Sequence, residues 1–116
     1  YNSKDIMQKL YYSIGKNNYS VSVENSMERN NQIIEVADRL VQSNNTDIKK
    51  YAEKFANVVI DEYNKNIGLL EQKDKNRLNE ENIKKYKEQL DRNIEKAKRI
   101  KEETYEWFDK YSYTCV

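Results

Sequence analysis

The sequence predicts an all-α fold, a single-domain antiparallel four-helix bundle, and three observations carry that expectation. It holds two Gly and no Pro in 116 residues, so little in it interrupts a helix. Charged residues make up 35% of the chain, a load that suits helix surfaces better than the turn-dense layout of a β-sandwich. Apolar residues recur at three- and four-residue spacing through four separate stretches, the period of a helix with one buried face. A chain of this length buries one core without disulfides or metal, which makes residues 1–116 one helical domain.

The first helix is expected over residues 4–14, where Ile6, Met7, Leu10, Tyr11 and Ile14 share a face. Asn2 or Ser3 caps its start and Gly15 stands where it ends. Residues 16–20 are polar and read as a loop. The second helix, over 23–42, gathers Val23, Met27, Ile33, Ile34, Ala37, Leu40 and Val41 on a narrow arc. Ser43, Asn44, Asn45 and Thr46 then form the clearest boundary, since all four favour caps and Asp47 complements the positive end of the next helix.

The third helix, over 46–72, carries apolar residues on an arc of roughly 200°, more than one neighbour can cover. It is therefore expected at the centre of the assembly, and its pattern continues past Gly68. Residues 71–78 are charged and weakly patterned, a natural reversal, with Asn79 able to cap the next helix. The fourth helix, over 79–111, is the longest and the most solvated. Ile83, Tyr86, Leu90, Ile94, Ala97, Tyr105, Phe108 and Tyr111 trace its inner face, while Glu80–Lys84, Glu81–Lys85, Glu88–Arg92 and Glu95–Arg99 pair outside with the acid first.

Function classes fall away by chemistry. The chain has no His, which excludes Ser-His-Asp and Cys-His nucleophile systems, imidazole zinc sites and the Glu-x-x-His di-iron pattern of helical bundles. Gly15 and Gly68 are too far apart to build a glycine-rich phosphate loop. Carboxylate neighbours such as Asp61 with Glu62 or Glu102 with Glu103 do not face each other on a helix. No enzyme activity, cofactor or metal is expected. Cys115 is the one cysteine, so no intramolecular disulfide forms. Uninterrupted apolar runs reach three or four residues, against the roughly 20 that cross a bilayer as a helix. No signal peptide is visible, and a chain that begins at Tyr1 fits either a cleaved leader or a trimmed longer protein.

Two charges interrupt apolar arcs, Glu62 on the third helix and Lys101 on the fourth. With the chain reversing near residue 75, Lys87 is the expected partner of Glu62, and Lys101 packs its stem while its ammonium reaches water. The net charge of +1 gives no overall field for nucleic acid or anionic lipid. Residues 73–101 nevertheless hold 11 Lys or Arg against 6 Asp or Glu. Lys85, Arg92, Lys96 and Arg99 form a row there, the candidate surface of an alternative, nucleic-acid-binding reading. Glu81, Glu88 and Glu95 lie beside the row and repel phosphate, which disfavours it.

The densest aromatic stretch is residues 105–113. Phe108 and Tyr111 fit the inner face; Trp107 and Tyr113 fit it less well. Trp107, Tyr113 and Tyr105 are thus the candidate contacts for a partner protein, because such side chains bring large area at modest entropic cost. The competing reading has Trp107 and Tyr113 covering the end of the bundle against Tyr11 and Tyr12. The function expected is occupancy of another protein, as by an inhibitor, immunity factor, adaptor or surface ligand.

Overall fold

Short polar side chains open the helices of the computed structural model, which describes residues 2–16, 22–72 and 77–112. Asn2 accepts from the Asp5 amide at 2.9 Å to start α1 (Ser3–Leu10), and Ser22 accepts from Asn25 at 3.1 Å to start α2 (Val23–Leu40). Asn45 accepts from Ile48 at 3.2 Å ahead of α3 (Thr46–Asp61), after which α4 (Tyr63–Glu71) continues the same path. Asn79 accepts from Asn82 at 2.7 Å and starts α5 (Glu80–Ser112). Each cap satisfies an amide that the helix itself leaves without an acceptor. No strand occurs among the described residues.

Four helical limbs, α1, α2, the α3–α4 pair and α5, pack against one another and alternate in direction. Lys49 meets Val41 and Arg29 meets Glu62, so α2 and α3 are antiparallel. Trp107 sits at Lys49 and Asp91 at Tyr63, so α5 runs back along α3 and α4. Asn30 pairs with Asn93 and Asp38 with Arg99, which makes α2 and α5 parallel. α1 lies beside α3 in the same direction, with Ser3 bonded to Asn45 and Tyr11 packed on Phe55. The wide apolar arc of the third limb is explained: α3 touches α1, α2 and α5. At 33 residues α5 is about 50 Å long, and it sets the long axis of a molecule measuring 57 × 27 × 17 Å.

The interior is two apolar clusters with a polar storey between them. The larger gathers Ile33, Ile34, Ala37, Ala52, Phe55, Val59, Ala97 and Ile100 with their neighbours; the smaller holds Val23, Met27, Leu70 and Leu90. Between them, the Asn93 amide donates to Asn30 at 2.6 Å and to Asn31 at 2.7 Å. Arg29 bridges Glu62 and the Gly15 carbonyl, the latter at 2.9 Å, and Tyr63 donates to Asp91.

Three expectations change here. The partner of Glu62 is Arg29, not Lys87, because α2 rather than α5 faces it across the third limb. That limb also turns at Glu62, where ψ falls to 0°, although amides of Glu62 and Asn66 keep their bonds to Val58 and Glu62. The first helix does end at Gly15, but its last turn, Tyr11–Gly15, is π-helical rather than a continuation of the α-helix expected over 4–14. A Cβ on Gly15 would lie 2.7 Å from the Tyr11 ring and 3.2 Å from Phe55, so this glycine serves close approach.

Candidate partner-binding surface

The last turns of α5 run beyond the larger apolar cluster. Ile100 and Thr104 are its final fully buried residues, and the Thr104 hydroxyl donates to the Ile100 carbonyl at 2.8 Å. Past them the helix presents aromatic side chains to a shrinking interior. Trp107 follows Ile100 by two turns and so falls on the same stripe. It is half-buried, edge-on to Phe108 at 5.1 Å and tilted over Tyr111 at 4.9 Å.

Trp107 also covers a buried lysine. Lys49 is 6% exposed; its ammonium lies 5.1 Å from the Trp107 ring and donates to the Val41 carbonyl at 2.5 Å, at the C-terminal end of α2. A cation there complements the negative helix end and the indole face together. Burial lowers the Lys49 pKa from its ordinary value, and the nearby Glu103 carboxylate opposes that shift. Trp107 therefore covers the bundle's end against the α2–α3 junction. Tyr11 and Tyr12 take no part, since Tyr11 stacks on Tyr12, Tyr51 and Phe55.

Tyr105 and Tyr111 face outward, 53% and 44% exposed. The Tyr105 phenol is held by Glu53 of α3, a hydrogen bond that raises its pKa. Lys101 lies 5.9 Å from the Tyr105 ring and Lys110 5.6 Å from the Tyr111 ring. Lys101 thus has a half-buried stem and an ammonium over an exposed ring. Tyr113 and Cys115 lie outside the described residues. Trp107 and Tyr111 make one aromatic end with Lys110 beside it, in which Trp107 contributes an edge rather than a free ring. Tyr105 stands with Lys101 and Glu53 on another side of α5.

The basic row runs along the side of α5 that faces α2. Lys85 and Arg92 are exposed, but Arg99 is bonded to Asp38 at 3.0 Å and lies 3.7 Å from Glu103, and Lys96 is 3.8 Å from Asp38. Asp38, on α2, adds a fourth acid to the three that the sequence places beside the row. Among the described residues no group of His, Cys, Asp or Glu is disposed to hold a metal ion, and no helix is long and apolar enough to cross a membrane.

Sequence reasoning did not find Lys49. Its signal was faint: a lysine one residue after Ile48, in register with Ala52 and Ala56 on the inner side of α3. Comparison with protein families, with curated proteins and with solved structures finds no match for the chain.

Proposed function

We propose that the chain is a non-enzymatic protein-binding module that acts by occupying a partner protein, in the manner of an inhibitor, immunity factor, adaptor or surface ligand. The observation that supports this reading is the aromatic end of α5. Two tyrosines stand about half exposed there, Tyr111 against the indole edge and Tyr105 on another side of a helix anchored by the buried Ile100 and Thr104. Exposed aromatic rings on a rigid support lose little conformational freedom on contact, and tyrosine and tryptophan dominate the energetics of interfaces. Lys101 and Lys110, each against a tyrosine ring, supply a polar rim.

The test is capture of partners from the source cells on immobilised protein, followed by titration calorimetry on whatever is recovered. Tyr105→Ala and Tyr111→Ala are each expected to weaken binding by about tenfold or more, a loss of about 1.4 kcal/mol or greater. Tyr105 stands outside the core, so thermal unfolding of Tyr105→Ala should stay near wild type. Tyr111→Ala also removes packing on Trp107 and is compared with wild type under conditions where both are fully folded. A captured partner that binds both variants with undiminished affinity removes the α5 end from consideration.

A further inference from the structure

A second surface, independent of the α5 end, lies between α1 and α3. Tyr11 and Tyr51 pack edge-on at 5.8 Å and form its floor. Two ammoniums converge on them: Lys16 at 6.0 Å and Lys54 at 5.7 Å from the Tyr11 ring, with Lys54 also 4.6 Å from Tyr51. Among the described residues no carboxylate comes within ion-pair distance of either lysine, in a chain that answers Arg29, Lys96 and Arg99 with acids. Lys16 and Lys54 are held in place by π faces, which position a cation without neutralising it.

The depression above this floor has a volume of about 460 Å³, and Gln8, Tyr12, Asn57 and Asp61 complete its wall. Its lining is mostly polar groups able to donate hydrogen bonds. A second, more open depression of about 620 Å³ shares Gln8 and Tyr12 and is lined along α1 by Asp5, Lys9 and Ser13. One unpaired cationic centre thus sits in the α1–α3 depression, with Asp61 in its wall and Asp5 in the adjoining depression on α1.

We infer that the α1–α3 groove, centred on Lys16 and Lys54 over Tyr11 and Tyr51, binds a single carboxylate side chain carried on a peptide segment of another protein. A carboxylate completes the charge of the two ammoniums, and the amides and phenols reach its flanking backbone. Phosphate fits less well. The groove offers no guanidinium fork, its walls are helix sides whose amides are already bonded, and Asp61 repels a dianion more than a monoanion. A run of acids meets the same repulsion at both Asp5 and Asp61. The adjoining depression along α1 gives room for residues that flank the carboxylate, which favours a chain segment over a free small acid.

The experiment is a ¹H–¹⁵N correlation titration with blocked pentapeptides, acetyl-Ala-Ala-Glu-Ala-Ala-amide and its Gln counterpart, alongside glutarate and inorganic phosphate. The Glu peptide is expected to shift amides of residues 8–16 and 51–61 saturably. The Gln peptide, and the Glu peptide against the Lys16→Gln/Lys54→Gln variant, should bind about tenfold more weakly or worse. Lys98→Gln, on the exposed face of α5, should bind as wild type. The inference is overturned by equal binding of the Gln peptide, by shifts centred on α5, or by undiminished binding to the double variant. It is overturned as well if glutarate or phosphate binds as tightly as the Glu peptide.

Discussion

Two buried polar residues show how single side chains set the chemistry of this interior. Lys49 is held in its charged form by Val41, the end of α2 and the Trp107 face, yet burial lowers its pKa. Between the lowered folded value and the ordinary lysine range the unfolded chain carries a proton that the folded chain has lost, so stability rises with pH across that window. Tyr63 acts in the opposite sense at higher pH. Its hydrogen bond to Asp91 raises its pKa, and the stability it contributes is full below the ordinary tyrosine value and lost as pH climbs through the raised one. The difference in unfolding free energy between wild type and Lys49→Met is therefore expected to move in favour of wild type on the alkaline side, measured by urea unfolding at a series of pH values. A difference that stays flat would refute the burial effect. Asn93 is the second case. Asn93→Ala leaves the buried Asn30 oxygen without its donor, an expected cost of about 1–3 kcal/mol. Asn30→Leu/Asn93→Leu, which removes both partners together, should recover much of that loss, and equal damage from both variants would argue against the hydrogen bond as the cause.

The two glycines separate what an element wants from what its neighbours allow. Both stand in helical backbone, so replacement by Ala at either one removes the same unfavourable propensity. At Gly68 nothing lies within 4 Å of an added Cβ, and Gly68→Ala is expected to stabilise by about 0.5–1 kcal/mol. At Gly15 the added carbon meets Tyr11 and Phe55, and Gly15→Ala is expected to destabilise by about 1–3 kcal/mol through overpacking. Thermal unfolding of the two variants side by side checks the signs, and a stabilised Gly15→Ala would mean that the π turn relaxes freely. The pair also marks the boundary of what the chain discloses without its neighbours. Helix starts at Asn2 or Ser3, within residues 43–46 and at Asn79 were legible because capping is a local event, and the central place of α3 came from the width of its apolar arc. The π turn was not: its surroundings, Phe55 against Gly15 and the Arg29 guanidinium on the Gly15 carbonyl, come from parts of the chain 14 or more residues away. Long-range choices of this kind also decided the partner of Glu62 and the inward position of Trp107. At the α5 end, the aromatic composition was visible in the sequence. The division of labour, with Trp107 over Lys49 and Tyr105 outside, required the neighbouring helices.

At the scale of the whole molecule the polar storey divides the bundle into ends of unequal strength. Arg29, Asn30 and Asn31 on α2, Glu62 and Tyr63 at the α3–α4 turn, and Asp91 and Asn93 on α5 all lie at one level. Such a layer fixes which residues face each other along parallel and antiparallel helices, since a slip by one turn would leave buried amides and charges unpaired. It also limits how far apolar packing is shared between the two ends. The larger cluster contains Phe55, Ile33, Val59 and Ile100, all almost wholly excluded from solvent. In the smaller one, Val23, Met27, Leu70 and Leu90 are ringed by half-buried residues such as Tyr63, Ile67, Ile83 and Tyr86. Fewer buried contacts mean a lower free energy for local opening. Native-state hydrogen exchange should therefore show residues 63–71 and 83–90 exchanging at least about tenfold faster than residues 33–37, 52–59 and 97–104. Leu90→Ala, which empties part of the smaller cluster, should widen that gap. The larger cluster would then lose only the protection that reduced global stability removes. Uniform protection along α5 in both proteins would show that the polar storey couples the two ends into one cooperative unit, and the division inferred from burial would fail.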